Sequence, residues 1–154
     1  MAFTLSTGLK NALLNNAGLK SALASGQIRI FNGVRPLSAD DAESGAVLCI
    51  ITLNSGAMTS GNVLNGLIID TPSGGAVGIP SGAVWSGKNL ATGNATWFRW
   101  YPNAFDSHQG VATDGDKIRL DGNCAAGGGG DLNLSTTNLK INVPTTVDNV
   151  NLYL

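Results

Sequence analysis

The chain is predicted to be a mainly β, single-domain protein: an antiparallel β-sandwich, jelly-roll-like, with a short helical segment at its N-terminus. Three observations lead there. Period-two alternation starts at Gln27-Ile28-Arg29-Ile30-Phe31 and gives way to a series of short apolar runs that continues to the end. Turn residues, including 21 glycines, separate those runs, which is the pattern of a sandwich or barrel rather than of βαβ units. Helical spacing is confined to the start. A length of 154 residues suits one hydrophobic core, so the expected organisation is a helical docking segment over 1–26 and a β-sandwich body over 27–154.

In the N-terminal segment, Gly8-Leu9-Lys10-Asn11-Ala12-Leu13 is echoed ten residues later by Gly18-Leu19-Lys20-Ser21-Ala22-Leu23. The leucine pairs Leu9/Leu13 and Leu19/Leu23 each fall at i and i+4 on one helical face. This predicts two short helical turns, as a hairpin or a kinked helix. Ser6 or Thr7 is placed to cap the first, and Gly26 to end the second in a left-handed conformation.

Gln27 to Phe31 is the first strand, ended by Asn32-Gly33 and Pro36. Ser38 to Gly45 is expected to be an exposed polar turn or short helical loop. Ala46 to Leu53 is the most apolar strand, and its unbroken Val47-Leu48-Cys49-Ile50-Ile51 run implies burial on both faces, mid-sheet or beneath the helices. Further strands are expected at Leu67 to Ile69, Ala83 to Ser86, Ala95 to Tyr101, Lys117 to Asn123, Leu132 to Leu134, Leu139 to Val143 and Val147 to Leu154. The glycines Gly127 to Gly130 mark either a hairpin tip or a place where two backbones approach too closely for side chains.

Composition narrows the function. Charged residues make up 12% of the chain, about half the roughly 25% of an ordinary domain. A neutral, hydrogen-bonding surface has little self-repulsion and suits life inside an assembly. The formal charge is −1 and no Lys/Arg run occurs, so nucleic acid is not an expected partner. The apolar stretch Ala46 to Leu53 falls far short of the ~20 residues that span a bilayer, and polar residues interrupt the N-terminus where a secretory core would lie. A soluble protein without a membrane partner is expected.

Catalytic and metal chemistry is hard to assemble here. The single histidine, His108, lies in a polar stretch and is expected to be a solvated loop residue. Gly82 to Lys88 mimics a phosphate loop until Asn89 replaces the magnesium-binding hydroxyl, and in Gly78-Ile79-Pro80-Ser81-Gly82 the serine stands one place late for a nucleophile elbow. Asp114, Asp116 and Asp121 suggest a calcium loop but lack its ligand spacing, and turn acids are the better expectation. Cys49 is expected to be a small buried hydrophobe and Cys124 could be exposed; spacing alone leaves a disulfide between them open. No enzyme, cofactor or metal is expected.

The densest feature is Thr96-Trp97-Phe98-Arg99-Trp100-Tyr101. In a strand, Trp97, Arg99 and Tyr101 share one face and Phe98 and Trp100 the other. One face would fill the core; the other could do so too, anchor a subunit interface, or stack on sugar rings. With the leucines of the helical segment, this makes Leu9, Leu13, Leu19, Leu23, Trp97, Arg99, Trp100 and Tyr101 the candidate assembly interface.

Taken in order, Ser6 to Leu14, Ile28 to Gly33, Pro36 to Gly45, Trp97-Phe98-Arg99, Asp121-Gly122 and Gly130-Asp131-Leu132-Asn133-Leu134 resemble a group of small virion structural proteins of tailed bacteriophages and prophages. The resemblance runs nearly end to end, and its motifs are structural rather than catalytic. It implies a capsid decoration (cement) protein or a head-tail or tail accessory subunit, located in the virion and assembled in the host cytoplasm. The implied partners are other virion proteins, the major capsid protein first among them, and copies of the chain itself. A tail or neck ring or fibre element, and a glycan-binding receptor module of the virion, are the alternatives. Trp100, Tyr101 and Cys124 depart from the group's pattern. On this reading, deleting residues 1–25 should abolish incorporation while leaving the β-body folded.

Overall fold

A computed structural model describes residues 3–110 and 117–153. Strand accounts for 34% and helix for 8%, which places the chain in the mainly β class with helix, among the described residues, only near the N-terminus. The strands are β1 (Thr4–Leu5), β2 (Gln27–Phe31), β3 (Val47–Leu53), β4 (Ala76–Val77), β5 (Trp85–Lys88), β6 (Gly93–Asn94), β7 (Trp97–Tyr101), β8 (Leu120–Ala126), β9 (Leu132–Leu134), β10 (Asn138–Leu139), β11 (Pro144–Val150) and β12 (Leu152–Tyr153). The helices are α1 (Thr7–Leu14) and α2 (Leu19–Ala22).

The main sheet does not form the two stacked layers expected of a sandwich. Its order is β1-β8-β7-β2-β3-β5-β11-β9, and β9 returns to pair with β8, closing seven strands into a barrel with β1 outside the ring. Closure removes the edges that an open sandwich would leave. Every pairing is antiparallel except β8–β9, where Cys124, Ala125 and Ala126 lie parallel to Leu132, Asn133 and Leu134. Parallel neighbours usually need a crossover of a dozen or more residues. Here five suffice, because the glycines serve both of the roles foreseen for them. Gly127 and Gly128 turn the chain at φ +79° and +104°, while a Cβ on Gly130 would lie 2.7 Å from the Ala125 nitrogen. Polar groups then hold the returned strand: Asp131 accepts from the Asn123 amide at 2.9 Å, and Asn133 and Asn151 donate to the Gly130 carbonyl at 3.0 and 2.9 Å.

Inside the barrel Ile28 and Ile30 of β2, Phe98 and Trp100 of β7, Leu120 of β8 and Trp85 of β5 are all at most 1% exposed and belong to one apolar cluster. Trp85 meets Trp100 edge-on at 5.2 Å, a favoured aromatic geometry. β3 lies between β2 and β5. Its Leu48, Cys49, Ile51 and Thr52 are buried, matching the expected burial on both faces. Cys49 and Cys124 are free thiols, the first buried and the second partly so, and burial pushes the Cys49 thiol up to about 12.

The N-terminal residues share this core, so a boundary at 26 separates no second one. Leu9 and Leu23 are fully buried, and Leu19 nearly so, within the same cluster as the barrel interior. Thr4 and Leu5 pair with Asp121 and Leu120. Ser6 is the N-cap: its Oγ accepts from the Leu9 amide at 3.2 Å, as expected, and also from the Arg119 amide at 2.8 Å, while donating to the Lys117 carbonyl at 2.7 Å. The two helices are distinct, separated by Asn16 at φ +106°. The left-handed residue after α2 is Ser25, at φ +55°, rather than Gly26. Gly26 serves a different need, since a Cβ there would stand 1.8 Å from the Tyr101 carbonyl oxygen.

Several strand expectations shift by a few residues, and two fail. Leu67 to Ile69 forms no strand: Leu67 exchanges backbone hydrogen bonds with Ser25 and Gly26 at 3.1 and 2.9 Å, without entering the sheet. Of Leu139 to Val143, only Leu139 is strand; Val143 N donates to Lys140 O at 3.1 Å and closes a turn.

Candidate functional site

The outer face of β2, β7 and β8 carries charge where a barrel exterior would ordinarily meet water. Register sets Arg29, Arg99 and Asp121 side by side across the three strands, with Phe31 beside Trp97 and Gln27 beside Tyr101. Two loops cover this face, residues 32–46 between β2 and β3 and residues 102–110 after Tyr101. Beneath them lie three bidentate ion pairs. Arg99 Nε and Nη2 donate to the two Asp121 oxygens at 2.6 and 2.8 Å, with both side chains 0% exposed, and its third nitrogen donates to the Asp41 carbonyl at 2.7 Å. Arg119 grips Asp106 at 2.7 and 2.8 Å, and Arg29 grips Glu43 at 2.7 and 3.1 Å.

Aromatic rings form the walls of this layer. Phe31 stacks on Trp97 at 4.2 Å and 13°. The guanidinium of Arg99 lies 5.5 Å from the Trp97 ring and that of Arg119 5.9 Å from Tyr101, both within cation–π range. The Tyr101 hydroxyl donates to Glu43 at 2.6 Å; burial and Glu43 raise its pKa, so it stays a donor. Burial pushes the Asp121 carboxyl up, against the pull of Arg99 facing it.

His108 closes the two loops on each other. Its Nδ1 lies 3.4 Å from Glu43 Oε1, its carbonyl accepts from the Glu43 amide at 3.3 Å, and its ring meets Tyr101 edge-on at 4.9 Å. Its side chain is 31% exposed, so the expected solvated loop histidine is instead an inter-loop contact. Burial lowers its pKa from 6.5, as do Arg29 and Arg119, against the opposing pull of Glu43 and Asp106. For Asp106, burial raises the pKa, but the Arg119 guanidinium and the His108 amide outweigh it and hold the carboxyl below 3.8. Both depressed values act in one direction: each group contributes stability present above its unfolded pKa and lost as pH falls through its folded one. Stability is therefore expected to fall in one step below about pH 6.5, from His108, and in a second below about pH 3.8, from Asp106, the raised Asp121 carboxyl opposing the second. Thermal melts across that range check this, with His108→Gln removing the first step and keeping the second.

These positions revise the candidate interface. Leu9, Leu19, Leu23, Trp97, Arg99, Trp100 and Tyr101 are each at most 8% exposed within the chain's own fold, while Leu13 is partly buried against the same core. No ring face of Trp97, Trp100 or Tyr101 is open for a sugar or a neighbouring subunit to stack on. Of the two faces divided along this strand, the one carrying Trp97, Arg99 and Tyr101 is the outer one, and loop 32–46 seals it. That loop is a turn at Ser38–Asp41, as expected, yet its Ala39 is fully buried and its Glu43 points inward at 12% exposure. Asp121, offered as a turn acid or calcium ligand, is the buried partner of Arg99; Asp114 and Asp116 lie outside the described residues. Gly87 of the phosphate-loop-like stretch is buried where β5 crowds β3, with a Cβ there 2.1 Å from the Ile50 carbonyl.

Sequence reasoning missed the acids. Arg29, Arg99 and Arg119 carry a visible signal, each being flanked on both sides by aliphatic or aromatic residues. Glu43 and Asp106 sit in polar loops and carry none. Chemically, the arrangement pins loops: each carboxylate already accepts from a guanidinium. Among the described residues no group of three or more His, Cys, Asp or Glu is placed to hold a metal ion, and no helix is long and apolar enough to cross a membrane. No family model, curated protein or solved structure matches the chain.

Proposed function

We propose that the chain is a structural subunit of a tailed-bacteriophage virion, specifically a decoration (cement) protein of the head. The observation that carries this reading is how the molecule distributes its charged and apolar groups. Three of its nine basic and three of its ten acidic residues are consumed in ion pairs beneath the loops, so the surface is poorer in charge than the composition. Large aliphatics stand nearly bare instead: Leu14 at 87%, Val34 at 84% and Leu37 at 96% exposure. Single exposed aliphatics are ordinary; combined with so little surface charge, they favour a molecule that is covered by neighbours in use. The sequence resemblance to small virion proteins points the same way.

The mechanism is mechanical. A closed barrel with pinned loops holds its shape, and many copies bridging joints between shell subunits multiply a modest contact energy into resistance to internal pressure. Image reconstruction of the intact particle is the test. Density for this chain on the outer face of the head supports the reading, density at the neck or tail replaces it with an accessory role, and absence from purified particles overturns it.

A further inference from the structure

We propose that the barrel end formed by residues 89–92 and the turn Lys140–Val143 is a docking face for a protein surface that offers an apolar depression flanked by carboxylates. The inference deepens the virion-subunit reading and rests on it for where the partner is found.

The face is built around one buried side chain. β5 ends at Lys88, opposite Pro144 at the start of β11. Just beyond, Asn89 is 2% exposed and engaged on all sides. Its amide donates to the Val143 carbonyl at 2.9 Å and its carbonyl accepts from Asn142 at 2.9 Å. Its Nδ2 donates to the Lys140 carbonyl at 3.0 Å, and its Oδ1 accepts from Thr145 Oγ1 at 2.7 Å. The Ile141 amide donates to Thr92 Oγ1 at 3.0 Å, and Asn142 takes the left-handed conformation, φ +68°, that the turn requires.

What this frame displays is apolar. Leu90, Ile141 and Val143 are 55%, 53% and 49% exposed. Turn tips are ordinarily Gly, Pro, Asn, Asp or Ser, each for a conformational reason; Ile141 satisfies none of those reasons, and the frame does not need its side chain. Apolar groups held by a rigid backbone lose little conformational entropy when a partner covers them.

Charge identifies the partner. Lys88 and Lys140 are exposed beside this tip. No acidic residue occurs anywhere in 71–105 or 132–147, which contain the whole face. The two ammonium groups therefore stand on a face whose own segments supply no counter-charge, a positive field that carboxylates complement. Two cations are too few to hold a nucleic-acid backbone or to act as a polybasic lipid anchor, whereas three half-exposed aliphatics match an apolar protein surface.

The test uses purified heads lacking this chain, from the particle that carries it, with binding of the full-length protein measured by co-sedimentation across a salt series. Lys88→Glu with Lys140→Glu changes only exposed side chains, so its fold is retained, and it should weaken binding about tenfold at low salt, with the deficit shrinking as salt rises. Leu90→Ser, Ile141→Ser and Val143→Ser together should weaken binding about a hundredfold at all salt concentrations, with thermal melts confirming the fold. Wild-type binding with both variants equal to it overturns the docking face while leaving the virion reading intact. Unchanged head binding with altered self-association in sedimentation assigns the face to a second copy and overturns the proposal. Failure of the wild type itself to bind overturns the head-decoration reading and this inference with it.

Discussion

Asp121→Ala is expected to destabilise the protein by about 3–5 kcal/mol, because it leaves the Arg99 guanidinium buried without its counter-charge. Both side chains are 0% exposed, and two of the three Arg99 nitrogens bond to that carboxylate. For a domain of this size such a loss lowers the melting temperature by roughly 10 °C. Replacing both partners, Arg99→Met with Asp121→Leu, is expected to recover most of the loss, since a buried ion pair rarely exceeds well-packed apolar residues in net stability. Denaturant titration of the single and double variants decides this. If the double variant is as unstable as the single, the bond from Arg99 to the Asp41 carbonyl, which only the double variant removes, carries the difference by holding the covering loop.

Deletion of residues 1–25 is expected to abolish cooperative unfolding altogether. The deletion removes Leu9 and Leu23, both fully buried, together with Leu19. Each such loss alone costs about 2–5 kcal/mol, so the sum reaches the whole stability of an ordinary domain, about 5–15 kcal/mol. It also takes away β1 and the Ser6 hydroxyl that satisfies the Arg119 amide at the start of β8. A sharp thermal transition in the truncated chain would show that the barrel holds its core without the helices. The same structure explains why truncation is a poor probe of docking: loss of incorporation would follow from loss of the fold.

Much of the local structure was readable from the chain. Gln27 to Phe31 alternates because a strand sends successive side chains to opposite faces, and it is β2 residue for residue. Ser6 caps α1 because a hydroxyl there meets an unpaired helix amide. The apolar centre of Val47 to Leu53 announced burial on both faces because no polar alternation interrupts it. For the candidate interface the reading was half complete. The two faces of Trp97 to Tyr101 were divided correctly, but nothing in the strand itself says whether a loop will return to cover the outer one.

The amino-acid sequence by itself determined the mainly β class, the helical start, the shortage of charge and the amphipathic division of the aromatic strand, since all of these follow from composition or from periodicities set within a few residues of backbone. Only the tertiary structure decided that the sheet closes through a parallel β8–β9 pair, that the helices share the barrel's core, and that Arg29, Arg99 and Arg119 find Glu43, Asp121 and Asp106 across gaps of 14, 22 and 13 residues. Those outcomes depend on where loops return in space, and a loop's path is set by the contacts it ends up making, which no local spacing encodes.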